Sequence, residues 1–171
     1  PWFSIPTGRK RNLPRSQKRN NMAILKEMIT NSPEETEQVG FELARLLEND
    51  TALPSFIALY GDLGVGKTAF VRGFTRVFSP AALVRSPTFA LVNEYPTRGG
   101  RRVFHFDMYR ITDEDDLYSI GYYDYLDDGS ICLVEWSENI PYAIPDSHIR
   151  VDIEKTDLDK PDERKISISV Y

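Results

Sequence analysis

Cysteine is nearly absent from this chain: Cys132 stands alone among 171 residues. No intrachain disulfide framework and no cysteine-rich zinc site can be built from it, which favours a reducing compartment and a cytoplasmic location. Long apolar runs are missing as well. Nothing approaches the roughly 18 apolar residues of a membrane-spanning helix, and the first residues lack the apolar centre of a secretory signal, so a soluble protein is expected. Positive charge is in deficit: 21 Lys and Arg face 26 Asp and Glu, for a net charge of −5. Residues 1–21 hold Arg9, Lys10, Arg11, Arg15, Lys18 and Arg19 and no acid, so the remainder carries −11. An acidic body argues against an autonomous nucleic-acid binder, which needs Lys and Arg to neutralise phosphates. Any role on RNA is expected to run through a partner.

What is there fits one domain, since a second catalytic domain has no room in this length. Residues 1–21 combine Pro1, Pro6, Pro14 and Gly8 with the basic cluster and show no period of 2 or 3.6. They read as a disordered basic leader, either an unstructured extension or an arm that touches nucleic acid or a partner, and residues 22–171 read as the domain.

Ser32-Pro33-Glu34-Glu35 announces a helix: a capping serine, a proline at the first helical position, and a glutamate three residues after the cap. Val39, Leu43, Leu46 and Leu47 supply its buried stripe. Phe56–Tyr60 is a continuous apolar run, read as a strand buried on both faces, and a second helix is expected over Thr68 to Phe78. Leu91–Tyr95 and Arg102–Tyr109 read as an antiparallel pair across a turn containing Gly99-Gly100, and Thr112–Ile120 as a short acidic helix capped at Thr112. Ile131–Val134 reads as another buried strand. Alternation at Ile149, Val151, Ile153 and at Ile166, Ile168, Val170 predicts a closing hairpin. The expectation is α/β: three layers, a central, mostly parallel sheet, and antiparallel additions.

Gly61-Asp62-Leu63-Gly64-Val65-Gly66-Lys67-Thr68 fits G-x-x-x-x-G-K-[ST] at every fixed position, between a buried strand and an amphipathic helix. Glycines let successive N–H groups turn inward toward phosphate oxygens, and the helix start, here Lys67, Thr68 and Ala69, adds its positive dipole end. Lys67 supplies charge for the β- and γ-phosphates and the Thr68 hydroxyl is placed for Mg²⁺. The pattern predicts a P-loop NTPase fold binding a nucleoside triphosphate. A hydrolase of this class also needs an acid at the end of a neighbouring strand, and Glu135, directly after Ile131–Val134, is the candidate metal residue. Glutamate in place of the usual aspartate adds a methylene of reach.

Arg85-Ser86-Pro87-Thr88-Phe89 reads either as a switch-like loop that brings the Thr88 hydroxyl to the γ-phosphate or as an ordinary turn. In His105–Arg110 one strand face carries Phe104, Phe106 and Met108 and the other His105, Asp107 and Tyr109; the second is either a solvated edge or a wall of the site. Trp136 and Cys132 read as packing residues, and the acids at 113–116, 124, 127 and 128 as a solvated face or a surface for a basic partner. A GTPase is disfavoured, because Asp107-Met108-Tyr109-Arg110 lacks the glycine of D-x-x-G and Glu154-Lys155-Thr156-Asp157 has Glu where N-K-x-D needs Asn. A small-molecule kinase is cramped, with only 35 residues after Trp136.

Four motifs in order, Gly61–Thr68, Ser86–Phe89 with Leu91–Tyr95, His105–Arg110 and Leu133-Val134-Glu135-Trp136, resemble the bacterial TsaE family over about residues 33–170. Val65 stands where the family often has Ala, and Ala90 where it often has a polar residue. The resemblance implies an ATP-hydrolysing, Mg²⁺-dependent subunit of tRNA threonylcarbamoyladenosine biosynthesis. It acts with TsaB and TsaD, which modify the adenosine beside the anticodon of ANN-decoding tRNAs; contact with tRNA is indirect. It also implies Thr68 and Glu135 as metal ligands, Lys67 as phosphate charge, Ser86 to Thr88 as the switch-like loop, Asp107 as a residue needed for activity, Thr36 on the adenine side and Arg164 near the nucleotide. The alternatives are a nucleotide-dependent switch module with incidental hydrolysis and a small kinase.

Overall fold

The computed structural model describes residues 23–97, 100–127, 129–157 and 159–171. The basic segment 1–21 lies outside the described residues, as does Asp128.

The chain runs β1 (Ala23–Thr30), α1 (Pro33–Asn49), β2 (Phe56–Tyr60), α2 (Lys67–Phe78), β3 (Val92–Pro96), β4 (Arg102–Asp107), α3 (Glu114–Ser119), α4 (Tyr122–Asp127), β5 (Ile131–Glu135), β6 (Ile149–Lys155) and β7 (Arg164–Val170). Short 3₁₀ turns at Ser137–Asn139 and Pro141–Ala143 link β5 to β6. Seven strands form one sheet in the order β1-β7-β6-β2-β5-β4-β3. The middle four, β6, β2, β5 and β4, are parallel, while β3 and the β7-β1 pair add antiparallel edges. The expected mixed α/β sheet is present, including the β3-β4 and β6-β7 hairpins.

Alternation along the strands builds two separate cores. Ile57 and Leu59, Ile131 and Leu133, and Val151 and Ile153 face α1 and α2 together with Leu43, Phe70 and Phe74. Phe56 and Ala58, Cys132 and Val134, and Phe104, Phe106 and Met108 face the other way, against Leu117 of α3 and Tyr122 at the start of α4. Strands β2, β5 and β4 are therefore buried on both sides, which is why β2 and β5 read as unbroken apolar runs, whereas β6 is buried on one face only, with Arg150 and Asp152 half-exposed on the other.

Helix α1 begins as its sequence demands: Ser32 Oγ accepts from the Glu35 N–H at 3.1 Å, and Glu35 returns a bond to the Asn31 N–H at 2.7 Å. Helices α1 and α2 cross at glycines, where side chains would not fit. A Cβ at Gly40 would lie 2.2 Å from the Phe70 carbonyl oxygen, and one at Gly73 1.8 Å from that of Glu37. This close crossing seats the first turn of α2 over the sheet.

Three expectations change. Strand β1 was not expected at all; it is an edge strand, largely exposed, with Lys26-Glu27 in its centre, and it is held by pairing with β7. Helix α4 is a further addition, and α3 is capped by Asp113, whose side chain accepts from the Asp116 N–H, not by Thr112. Thr112 instead donates from its N–H and hydroxyl to the Asp116 carboxylate, both at 2.9 Å. No described helix is long and apolar enough to cross a membrane.

Candidate functional site

Parallel strands deliver their carboxyl ends to one edge of the sheet, and chain reversals at that edge are where α/β proteins place ligands. Here β5 lies between β2 and β4 although β4 precedes it in sequence, so the loops after all three strands meet. Register brings their ends level: Glu135 and Asp107, the last residues of β5 and β4, pair with each other, and Glu135 pairs with Leu59, the penultimate residue of β2. Glu135 and Asp107 are both buried and both line a cavity of about 440 Å³.

The Gly61–Thr68 loop forms the floor of that cavity from Leu63 onward. Gly64 and Gly66 have φ of 74° and 111°, in the left-handed region that favours glycine, and this turn releases the chain directly into α2. No side chain caps the start of α2 and no acid occupies its first turn. Its N–H groups and dipole are thus left facing the cavity, which suits an anion.

Lys67 is buried and folds back over its own loop. Its ammonium donates to the Gly61 carbonyl and, at 3.0 Å, to that of Asp62, and it sits 3.8 Å above the ring of Trp136. Burial pushes the Lys67 pKa down, and the surrounding carboxylates of Glu135, Glu138, Asp107 and Asp62 oppose that shift. The arrangement holds a desolvated cation beside an empty-handed helix terminus.

Thr68 Oγ1 donates to Glu135 Oε1 at 2.8 Å, joining the two residues expected to share a metal. A hydroxyl and a carboxylate are hard oxygen donors. Among the described residues no three His, Cys, Asp or Glu side chains converge as a cage of their own. This donor set fits Mg²⁺, which takes one or two protein ligands and completes its shell with water and phosphate oxygens. Asp107 does something different. Its Oδ2 accepts from Ser86 Oγ at 2.7 Å and Thr88 Oγ1 at 2.8 Å, and its Oδ1 from the Tyr109 N–H at 3.0 Å. It ties the 86–88 loop to the end of β4, so the polar face of β4 is a buried wall of the site and not a solvated edge.

Thr36 and Arg164 do not line this cavity; they stand behind the loop. The Thr36 hydroxyl is bonded to Thr30 Oγ1 at 3.0 Å, and its methyl faces Gly66. Arg164 Nε donates to the Val65 carbonyl at 2.8 Å, holding the loop from the β7 side. Gly61 and Asp62 border a neighbouring cavity with Glu154 and Lys155.

Three further residues contribute, of which the sequence placed only His105, on a face read as a solvated edge or a wall of the site. His105 is fully buried with Nε2 2.8 Å from Glu135 Oε1. Trp136, read as packing, lines the cavity with φ of 60° and contacts both Lys67 and the ring of Tyr109, whose centroid is 4.9 Å away. Glu138 accepts from the Gly61 N–H at 3.3 Å. His105 left a signal as a polar residue two positions before Asp107 on the same strand face, and Trp136 by following Glu135 directly in the fourth motif; Glu138 left none.

Fold and site together define an α/β protein with a mixed sheet, parallel in its middle, whose glycine loop opens a helix at the carboxyl ends of the parallel strands. Within that class the chain belongs to the TsaE family: the model described as "Threonylcarbamoyl adenosine biosynthesis protein TsaE" matches residues 30–166. Among curated relatives, the tRNA threonylcarbamoyladenosine biosynthesis protein TsaE of Haemophilus influenzae is 40% identical over 112 residues, 66% of this chain and 70% of its own length. Its namesake in Bacillus subtilis is 33% identical over 140 residues, 82% of each chain. The crystal structure of Bacillus subtilis YdiB superposes with a TM-score of 0.65 at 28% identity, covering 87% of this chain and 86% of that one.

Proposed function

We propose that this protein is a P-loop NTPase, an ATP-binding, Mg²⁺-dependent ATPase subunit of tRNA threonylcarbamoyladenosine biosynthesis. It works in the cytoplasm with TsaB and TsaD and meets tRNA only through them. The observation that carries the reading is the bond from Thr68 to Glu135: a hydroxyl from the glycine loop and a strand-end carboxylate meet beside a buried lysine and an uncapped helix start. Membership of the family supports the biosynthetic role.

In this reading the loop N–H groups and the start of α2 bind the phosphates, and Lys67 exchanges its two carbonyl partners for phosphate oxygens. Thr68 and Glu135 hold the metal. Mg²⁺, when bound, neutralises charge on the β- and γ-phosphates as it develops. Asp107 keeps Ser86 and Thr88 at the cavity, where their hydroxyl oxygens, each already donating its proton to Asp107, can accept from the attacking water. Trp136 and Tyr109 wall the cavity.

Phosphate release from ATP by the purified chain, alone and with the TsaB–TsaD pair of the same organism, tests the proposal. Stimulation by the pair and dependence on Mg²⁺ are expected; no complex and no stimulation would sink it. Glu135→Ala adds a second arm: full tRNA modification by a variant that binds but does not hydrolyse ATP would make the protein a nucleotide-dependent switch. Phosphate transfer to an acceptor would make it a kinase.

A further inference from the structure

Two donors converge on one oxygen of Glu135. Thr68 Oγ1 and His105 Nε2 both lie 2.8 Å from Oε1, while none of the described residues takes up Oε2. Oε2 is not among the buried atoms left without a partner, and Glu135 lines the cavity, so Oε2 is open to it. The imidazole lies deep in the sheet: His105 pairs with Leu133 on β5 and its ring stacks on Tyr95 with centroids 6.5 Å apart and planes 28° from parallel.

A buried polar side chain is ordinarily satisfied by its surroundings. His105 is not, because Nδ1 is buried and finds no hydrogen-bond partner among the described residues. A proton on Nδ1 would be a donor with no acceptor, so the proton sits on Nε2, facing the carboxylate. An apolar side chain of similar size would fill this place beside Leu133 without leaving an orphan atom. What the histidine adds is the single bond to Glu135.

We propose that His105 is a positioning residue that holds Glu135 Oε1, so that Oε2 is the oxygen left to meet the metal or its water. The proposal rests on the Mg²⁺–nucleotide reading above. His105 acts through Glu135, as second-layer partners of metal ligands do when they fix a ligand's orientation.

The test uses the full chain and three variants: His105→Gln, whose amide reaches as far as Nε2; His105→Asn, whose amide reaches only as far as Nδ1; and His105→Leu, with no donor. ADP serves as the probe, so that binding is read without turnover, and Mg²⁺ is titrated at fixed ADP by calorimetry. Loss of the bond is expected to weaken Mg²⁺ about tenfold to a hundredfold in the Asn and Leu variants. Metal-free ADP affinity should stay within about twofold, and the Gln variant should recover most of the metal affinity. Nitrogen-15 NMR of the metal-free wild type provides an independent readout, with the proton expected on Nε2. A proton on Nδ1 overturns the proposal, as does unchanged Mg²⁺ affinity in folded Asn or Leu variants, or a folded Gln variant no better than Asn. If Leu fails to fold, the Gln–Asn comparison decides alone. A wild type whose ADP binding ignores Mg²⁺ brings down the functional reading itself, a result distinct from wild-type dependence that survives in the variants.

Discussion

Lys67 shows how one residue can be costly to the fold and useful to the site. Its ammonium is buried, bonded to two carbonyls of its own loop and stacked on Trp136, yet burial still pushes its pKa below the ordinary 10.5. The folded protein therefore holds this proton less tightly than the unfolded chain does, and its contribution to stability rises with pH in the window below 10.5. Lys67→Met removes the penalty. At pH 7 without nucleotide its Tm should equal or exceed that of wild type, and the difference should shrink as pH approaches 10. The same variant should lose the rise in Tm that saturating Mg–ATP gives wild type, a linkage worth roughly 2.7 kcal/mol at a hundred times Kd. A Met variant clearly less stable than wild type at pH 7 would show that the carbonyl and ring contacts outweigh the desolvation. Glu135→Gln belongs to the same scale. Its amide oxygen can still accept from Thr68 and His105, so Tm should hold within a few degrees while phosphate release falls by about a hundredfold or more.

Elements meet here through what glycine permits. The crossing of α1 and α2 leaves no room for a methyl at residue 73, whose Cβ would collide with the backbone of Glu37. Gly73→Ala must push α1 away from α2 and should cost about 3 kcal/mol, read as a fall in the urea midpoint with unchanged slope. Nothing in the sequence marks that glycine, since it sits mid-helix where a lone glycine reads only as a weak point. The β2, α2 and β5 elements were legible because their burial is complete on one or both faces, so periodicity reports it directly. Strand β1 was not legible: it has solvent on one side and at its free edge, and only β7 tells it to be a strand. Nor was the depth of His105, which depends on β4 lying beside β5, a pairing no local pattern states. On the other face, α4 docks through Tyr122, whose hydroxyl donates to the Ala143 carbonyl at 3.1 Å. Burial holds the Tyr122 pKa far above 10, so the folded chain keeps a proton that the unfolded chain releases, and stability falls as pH rises past 10. Tyr122→Phe should cost about 1 kcal/mol at pH 7 and should narrow its deficit by pH 11, since it lacks that proton.

The whole molecule brings three strand ends into one row, and residues 22–171 carry an excess of acid. The row is what the order of β2, β5 and β4 produces, and it places Lys67, Glu135 and Asp107 around one cavity. The surface charge bears on how such a site could serve a tRNA. Binding to a polyanion draws its free energy from Lys and Arg that release condensed counterions, and affinity then falls steeply with salt. Residues 22–171 carry −11, and the basic residues 1–21 carry +6, so attraction and repulsion are segregated along the chain. Removing residues 1–21 should therefore leave a protein that retains Mg–ATP binding but shows no salt-dependent association with tRNA between 50 and about 200 mM salt, checked by fluorescence anisotropy of a labelled transcript. The full chain should show only weak association, abolished within the same range. Tight binding by the shortened protein would place an RNA surface on the acidic body and remove the need for partners to carry the tRNA.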